Sequence, residues 1–326
     1  MNQRYFQLNT NKILFSIIIP HYNSPKLLDK LIDSIPLKDT IQLIVVDDKS
    51  DQYLQDLSKI EQKLIKRNAI FLRNKTNQKG AGVCRNIGLK KAIGKWVLFA
   101  DADDFFTEDA FDRMEEIVDS NADIIYFAPT SQYLNSTEKA ERHKNYEKLV
   151  LDYVANPSRE NEILLKYKFL PPWSKMIKRT LIEKNNLMFE EVPVSNDVMF
   201  SLYSAYYAKK IDACSNNMYC ATRSKGTLTT KHDVKWLEVR VHVFIERYCF
   251  LKKVLNKKEF ESMTLSGKAL LLEAFVGQYG IKEILYIYHL YRQNHVKVFI
   301  PKLFLYDINQ IVKTIKIKRR EKMNLK

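Results

Sequence analysis

The chain of 326 residues has little of what marks fibrous, low-complexity or disulfide-stapled proteins. Its 8 Gly and 9 Pro exclude collagen-like and Gly/Pro-rich classes. The 4 Cys include no C-x-x-C pair and the 6 His are scattered, so no zinc pattern exists and reduced thiols are expected. At 46% hydrophobic and 28% charged residues, the composition is that of a globular protein rather than a disordered one.

Long hydrophobic runs are also missing. No run reaches the roughly 18 apolar residues of a membrane span. The apolar stretch Ile13–Ile19 is too short for a signal peptide, lacks a small-residue cleavage site and ends at Pro20. The sequence therefore predicts a location in the cytoplasm or on the cytoplasmic face of the membrane.

The chain has an excess of positive charge, and this excess is unevenly distributed along the sequence. Against 38 Asp plus Glu there are 53 Lys plus Arg, a formal net charge of +15. Residues 1–230 carry +4 of it and residues 231–326 carry +11. A shift of this size predicts a domain boundary near residue 230, with a basic, helix-patterned region after it.

Apolar runs alternate with helical patterns in the first part of the chain. The runs expected to be buried strands are Phe15–Ile19, Ile41–Val46, Ile70–Leu72 and Trp96–Ala100, with a further one at Ile124–Phe127. This alternation predicts an α/β fold with a central, mainly parallel sheet. Ligands of such sheets bind beyond the carboxyl ends of the strands, so the polar residues after these runs should line one crevice.

The aspartates after the fourth run are the sharpest feature. On an extended segment Asp101 and Asp103 would point the same way and repel each other. A hard divalent cation carrying phosphate oxygens would relieve that repulsion. The alternative is that Asp103 or Asp104 caps a helix beginning near Phe106, which explains one aspartate but not the cluster.

Two further acidic positions have open interpretations. One member of the pair Asp47-Asp48 can hold the following turn with Ser50, while the other can accept hydrogen bonds from a nucleobase or a ribose. Asp197 stands at the start of a helical pattern, where Ser195 or Asn196 could be the cap. If it lies near the metal site, Asp197 can serve as a general base; otherwise it is a first-turn acid.

Taken together, these stretches resemble the family 2 inverting glycosyltransferases of the GT-A fold, of the kind that builds bacterial surface polysaccharides such as capsule and lipooligosaccharide. The resemblance covers about residues 13–230. Its motifs are Ser16-Ile-Ile-Ile-Pro20-His-Tyr22-Asn23, Val45-Val46-Asp47-Asp48-Lys49-Ser50, Cys84-Arg85-Asn86-Ile87-Gly88, Leu98-Phe99-Ala100-Asp101-Ala102-Asp103-Asp104, Pro172-Trp173-Ser174-Lys175 and Asn196-Asp197-Val198-Met199-Phe200. Asn196 stands where the family usually has Glu, and Lys49 where Gly is more usual.

The resemblance implies a role for each matching position. Pro20, Tyr22, Asn23 and Asp48 would hold the donor nucleotide with Arg85 nearby, Asp101 would face the ribose and the metal, Asp103 would ligate Mn²⁺ or Mg²⁺, and Asp197 would be the catalytic base. The donor implied is a nucleotide-diphosphate sugar, with a UDP-sugar favoured. The acceptor implied is a hydroxyl of a glycan or of a lipid-linked sugar.

The carboxyl-terminal region has two interpretations. Phe304, Ile308, Ile311 and Ile315 form one helical stripe beside a basic cluster. Such a helix would pack on the catalytic domain or lie on an anionic membrane surface. Other function classes fit less well: no nucleic-acid-binding motif accompanies the charge, so no nucleic acid partner is expected. A sugar-nucleotidyltransferase would need a glycine-rich loop after the first strand, and a non-catalytic nucleotide-sugar binder would not need both Asp103 and Asp197.

Overall fold

The computed structural model describes residues 13–224, 233–277 and 279–298. The chain divides into two compact units, Met1–Leu228 and Thr229–Lys326. The strands are β1 (Phe15–His21), β2 (Ile41–Asp47), β3 (Ile70–Arg73), β4 (Trp96–Phe99), β5 (Phe105–Phe106), β6 (Ile124–Tyr133), β7 (Lys175–Lys178) and β8 (Ile211–Arg223). The helices of the first unit are α1 (Pro25–Asp33), α2 (Leu54–Lys66), α3 (Ala81–Leu89), α4 (Ala110–Glu116), α5 (Lys144–Ala155), α6 (Arg159–Lys168), α7 (Arg179–Lys184) and α8 (Val198–Tyr207).

The first unit is built on one mixed sheet in the order β3-β2-β1-β4-β7-β6-β8-β5. Strands β3, β2, β1 and β4 run parallel, whereas β7 is antiparallel to both β4 and β6. Because these four strands run in the same direction, with helices between them, their carboxyl ends meet at one edge of the sheet. The α/β fold expected from the alternating pattern is confirmed, and the sheet places the ends of β1, β2 and β4 side by side.

Continuous apolar runs form the parallel strands because both faces of the sheet are covered. Ile17, Ile18 and Ile19 in β1 are fully buried, and the core continues through β2 and β4. Helix α1 buries Leu28, Leu31 and Ile32 on one face, because residues three and four apart lie on the same side of a helix.

The segment after β4 differs from the expectation. Phe105 and Phe106 form β5, which pairs with β8, and the next helix begins only at Ala110 with Asp109 at its N-cap. Neither Asp103 nor Asp104 caps a helix, so the capping alternative is wrong. Residues 101–104 form a tight turn, closed by the Asp104 N–H bonded to the Asp101 carbonyl at 3.0 Å, and not the extended segment assumed above.

The described part of the second unit is helical, as the sequence pattern indicates. Its helices are α9 (Val234–Val254), α10 (Lys257–Ser262), α11 (Lys268–Val276) and α12 (Ile281–Gln293). Leu237, Val241 and Tyr291 are buried in its core. No helix among the described residues is both long and apolar enough to cross a bilayer. The stripe from Phe304 to Ile315 lies outside the described residues.

Candidate active site

A cleft of about 390 Å³ opens at the carboxyl ends of β1, β2 and β4. Among its lining residues are six that the sequence singled out: Pro20, Tyr22, Asp48, Arg85, Asp101 and Asp103. The parallel register of the strands brings them together from positions more than 80 residues apart. The predicted crevice therefore exists. Its polar residues differ in how many hydrogen bonds they already make to other protein groups.

The carboxylate of Asp47 is held entirely by the protein. It accepts hydrogen bonds from His21 Nδ1 at 2.9 Å, from the Ser50 hydroxyl at 2.6 Å and from the Ser50 N–H at 3.0 Å. His21 Nε2 accepts the Ser24 N–H, so its proton is on Nδ1. Burial opposes ionisation of Asp47, but the hydrogen bonds from His21 and Ser50 outweigh it and lower its pKa. Asp47 is thus the member of the pair that holds the turn.

Asp48 is also fixed, but it reaches the cleft. Its carboxylate accepts from the Asn74 amide at 2.7 Å and from the Gly80 N–H at 2.7 Å. Gly80 has a φ of 136°, a conformation that side chains rarely adopt, and this allows its N–H to face the carboxylate. Each carboxylate oxygen has a second lone pair, so Asp48 retains acceptor capacity toward a ligand.

The side chain of Asn23 forms hydrogen bonds to the loop after β2. Its side chain bonds the Asp51 carboxylate at 2.7 Å and accepts the N–H groups of Asp51 and Gln52. It does not line the cleft, unlike the other predicted donor-binding residues. The observed task of Asn23 is to tie the end of β1 to that loop, and its contact with a nucleotide stays a prediction.

Tyr22 offers the cleft an aromatic face. Its side chain is about half exposed, and the Lys79 ammonium lies 4.8 Å from the ring centroid. An exposed ring beside a cation suits a nucleobase with its phosphates nearby.

A single guanidinium joins two distant parts of the site. Arg85 Nη2 bonds the Asp101 carboxylate at 2.6 Å and Nη1 bonds the Asn196 side chain at 2.9 Å. The guanidinium carbon also lies 5.2 Å from the centroid of the Phe189 ring, and the side chain is nearly buried. Arg85 therefore connects the end of β4 to the residue that precedes Asp197.

Close packing brings the segment before α8 to α3. A Cβ on Gly82 would stand 2.2 Å from the Glu190 carbonyl, so only glycine fits there. The Asn86 amide group exchanges two hydrogen bonds with the backbone of Phe189, at 2.9 and 2.8 Å. The motif around Arg85 thus also holds the segment that contains Phe189 and Asn196 against α3.

Asp103 is the least satisfied carboxylate of the turn after β4. It is exposed, whereas its neighbour Asp104 is buried and accepts from the Tyr219 hydroxyl and the Thr222 N–H. Desolvation by surrounding protein and the nearby Asp101 carboxylate raise the pKa of Asp103. A cation bound here would remove that cost.

The side chains that the structure describes are too few around any one point to hold a metal alone. In the described ranges no group of three or more His, Cys, Asp or Glu side chains is arranged around a metal position. Magnesium and similar ions are commonly held by one or two carboxylates, several waters and substrate phosphates. Asp103, with Asp101 beside it, matches that donor set.

Asp197 occupies the N-cap of α8, so neither Ser195 nor Asn196 is the cap. Its carboxylate makes no hydrogen bond to the first turn, and its pKa is raised by burial, although Arg85 opposes the rise. Asp197 therefore precedes the first turn of α8 and is not the first-turn acid of the alternative interpretation. Asp197 does not line the cleft, but the charges of Arg85 and Asp101, which do line it, affect the pKa of Asp197. Its role as a general base stays a prediction.

Two cations near the carboxylates were not singled out from the sequence. Arg142 bonds the Thr222 carbonyl at 3.1 Å and lies over the Trp173 ring, and the carboxylates of the turn after β4 outweigh its desolvation and raise its pKa. Lys175 is buried at the start of β7. The only sequence signal for Lys175 was its place in the Pro-Trp-Ser-Lys motif, and Arg142 had none.

The family model for glycosyl transferase family 2 matches residues 16–185 of this chain, about half its length. The chain belongs to glycosyl transferase family 2. The match contains all the residues that line the cleft, whereas Asp197 and β8 lie after it in the chain.

Individual relatives agree with this membership. The poly(ribitol-phosphate) beta-N-acetylglucosaminyltransferase TarS of Staphylococcus aureus is 29% identical over 219 residues, 65% of this chain and 36% of TarS. The glycosyltransferase GlyG of Streptococcus pneumoniae is 25% identical over 252 residues, 72% of this chain and 79% of GlyG. This chain spans little more than a third of TarS.

A crystal structure of S. aureus TarS residues 1–349 in complex with UDP superposes with a TM-score of 0.56 at 25% identity, covering 81% of this chain and 72% of that one. The predicted GT-A fold is confirmed, and membership of glycosyl transferase family 2 supports the predicted class of enzyme.

Proposed function

We propose that this family 2 enzyme is a metal-dependent, inverting glycosyltransferase that moves a sugar from a nucleotide-diphosphate donor to a hydroxyl group. The donor proposed is a UDP-sugar. The acceptor proposed is a glycan or a lipid-linked sugar of bacterial surface-polysaccharide synthesis. The role of each site residue below belongs to the same proposal.

One observation carries the proposal. A single cleft is lined by an exposed aromatic ring, a half-satisfied aspartate, an Arg–Asp pair and an exposed aspartate: Tyr22, Asp48, Arg85 with Asp101, and Asp103. Tyr22 suits stacking on a nucleobase, and Asp48 suits accepting a hydrogen bond from the base or the ribose. The Arg85–Asp101 pair suits the ribose, and Asp103 suits a metal-bound diphosphate.

A divalent cation, Mn²⁺ or Mg²⁺, would be held by Asp103 with Asp101 beside it, and when bound it neutralises charge on the diphosphate leaving group. The chain's own residues do the rest. Arg85 fixes Asp101 through a 2.6 Å ion pair, and Asp48 remains anchored by Asn74 and Gly80. The donor is thereby oriented before any acceptor arrives.

Asp197 accepts the proton of the acceptor hydroxyl as that oxygen attacks the anomeric carbon from the face opposite the diphosphate. A single in-line displacement of this kind inverts the configuration. Burial raises the pKa of Asp197, which brings its basicity closer to the operating pH. Residue 196 is Asn, and its side-chain oxygen accepts a hydrogen bond from Arg85. The site therefore has one acid at this place, Asp197, where the family usually has two.

The donor class is supported by the relatives. TarS is named as an N-acetylglucosaminyltransferase acting on poly(ribitol-phosphate), and its structure was solved with UDP. UDP-N-acetylglucosamine is therefore the first donor to try, and a polyol-phosphate or glycan chain the first acceptor.

The test is a panel of UDP-, GDP- and dTDP-sugars incubated with the purified chain and Mn²⁺ or Mg²⁺, scored by nucleotide release. Donor hydrolysis needs no knowledge of the acceptor. Metal-dependent release from one UDP-sugar is expected. Failure to bind or turn over any donor, with the chain folded, would refute the proposal.

We further propose that the region 231–326 contacts an anionic membrane surface, which would place the enzyme on the cytoplasmic face. Its net charge of +11 supports this, as do Ile281, Leu285 and Tyr288, which are exposed at helical spacing along α12. Flotation with phosphatidylglycerol vesicles should recover the full-length chain. A truncation before Pro301 that floats equally well would exclude the last residues as the anchor.

A further inference from the structure

Lys175 lies at the same edge of the sheet as the aspartates. It is the first residue of β7, and the next residue, Met176, pairs with Leu98 of β4. Because β7 is antiparallel to β4, its beginning stands at the carboxyl end of β4, close to where Asp101 emerges. The Pro-Trp-Ser-Lys motif thus places its lysine behind the cleft.

The environment of Lys175 is unusual for an ammonium group. The residue is 2% exposed, and Nζ lies 5.5 Å from the Tyr126 ring centroid and 5.4 Å from that of Phe169. Nζ donates to the Phe169 carbonyl and to the Ser201 hydroxyl, both at 3.2 Å. No carboxylate within the described parts of the chain comes within 4.0 Å of it. A buried charge without an ion-pair partner is costly, so its retention calls for a reason.

The contacts of Lys175 lead to the base. Ser201 lies on the first turn of α8, and its N–H donates to the Asp197 carbonyl at 3.0 Å. Its hydroxyl accepts from Lys175 and donates to the Leu170 carbonyl. Through Ser201, Lys175 therefore holds the helical turn that begins at Asp197.

Three charged groups act on the Asp197 carboxylate, each from a different element. The charges of Arg85 on α3 and of Lys175 on β7 lower the pKa of Asp197, and the charge of Asp101 in the turn after β4 raises it. Arg85 is already engaged by Asp101 and Asn196. Lys175 has no such engagement, and Asp197 is the charged group that acts on it.

We propose that Lys175 is a positioning residue, which fixes the first turn of α8 through Ser201 and places a positive charge behind Asp197, so that the base is ionised when the acceptor arrives. The inference rests on the proposed function of Asp197. Lys175 touches neither donor nor acceptor in this role. It acts through Asp197 alone.

The pH dependence follows from the signs of the two charges. Burial lowers the pKa of Lys175 to about 7, so it is charged below that pH. While charged, it lowers the pKa of Asp197 against the effect of burial. Removing it should raise the pKa of Asp197, and the acid limb of the pH–rate profile should move to higher pH.

The first experiment compares Lys175→Met and Lys175→Gln with the wild type in donor hydrolysis across pH. Methionine keeps the length of the side chain, and glutamine keeps a donor for Ser201, but neither carries charge. Both variants should move the acid limb upward by at least about half a pH unit and lower kcat, with KM for the donor unchanged.

Lys166→Met is the matched control. Lys166 is also buried, and its Nζ donates to the Ala208 carbonyl at 3.0 Å, at the opposite end of α8. Its loss should leave the acid limb in place. Wild-type acid limbs in both Lys175 variants would overturn the inference, as would an equal shift in Lys166→Met.

A second experiment does not depend on turnover. Free energies of unfolding are measured for the wild type, Lys175→Met, Asp197→Asn and the double variant, at about pH 6 and about pH 9. The two substitutions should be coupled near pH 6, where Lys175 is charged, and the coupling should shrink near pH 9. Additive effects at both pH values would overturn the inference. Coupling in a chain that releases nucleotide from no donor would refute only the proposed function.

Discussion

The two sides of the cleft treat their carboxylates in opposite ways. On the β2 side, Asp47 receives three hydrogen bonds from protein groups and its pKa is lowered. On the side of β4 and α8, Asp103 and Asp197 accept no such set, and their pKa values are raised. The comparison teaches that an acid satisfied by protein groups builds the fold around the cleft, whereas we propose that the unsatisfied acids take a metal ion or a proton.

The largest expected effect belongs to the unsatisfied side. Asp197→Asn should lower kcat for sugar transfer by at least about 10²-fold, because amide groups do not accept the proton. Binding of UDP, measured by calorimetry, should be nearly unchanged.

Asp109→Asn is the control for this change, because Asp109 is likewise an N-cap aspartate without a capping hydrogen bond. It should turn over at the wild-type rate. If Asp197→Asn keeps full activity, Asp197 is not the base. The proposed difference between the two sides of the cleft would then be wrong.

On the satisfied side the expected loss is in stability. Asp47→Ala leaves the buried His21 and Ser50 donors without their acceptor, at a cost of about 2 to 3 kcal/mol in the free energy of unfolding. Because the folded pKa of Asp47 is lowered, its contribution is present above the reference value of 3.8 and is lost as pH falls further. Urea unfolding at neutral pH and near pH 3 measures both effects.

Asp56→Ala, on the exposed surface of α2, serves as the comparison and should change stability by less than about 0.5 kcal/mol. A larger loss near pH 3 than at neutral pH in Asp47→Ala would contradict the assignment of a stabilising, ionised Asp47.

The smallest expected effect is at the rim of the cleft. Tyr22→Ala removes the exposed ring but no charge, and should weaken UDP binding by about 1 kcal/mol, roughly fivefold. Tyr207→Ala, an exposed ring on α8, should bind UDP like the wild type. Calorimetric titration of UDP into both variants and the wild type checks this. If Tyr22→Ala binds UDP as tightly as the wild type does, a stacking role for Tyr22 is excluded.

The sequence was sufficient to predict β1, β2, β3, β4 and β6, but not β5, β7 and β8. It also predicted the edge where the site forms, because the runs of β1, β2 and β4 end in polar residues that line the cleft. It also indicated that residue 49 is special. Lys49, where the family more often has Gly, adopts a φ of 59°. Local pattern was misleading after β4, since Phe105 and Phe106 form a strand whose partner, β8, is more than 100 residues further along the chain.

Tertiary contacts decide the rest, and the sequence does not display them. Asp47 and Asp48 are adjacent and chemically alike, yet only the neighbours His21 and Ser50 make the first a structural acid. The burial of Lys175 depends on the rings of Tyr126 and Phe169, which come from two other elements. Such neighbours follow from the sheet order, which no local periodicity specifies.

The most direct test of the contrast between the two sides is calorimetric titration of UDP into the wild type and Asp103→Asn, each with Mn²⁺ and with EDTA. The wild type should bind UDP at least about tenfold more tightly with Mn²⁺, and Asp103→Asn should lose that difference while keeping its melting temperature. If UDP affinity in the wild type is the same with and without the metal, or if Asp103→Asn retains the full difference, the account of the unsatisfied side is wrong.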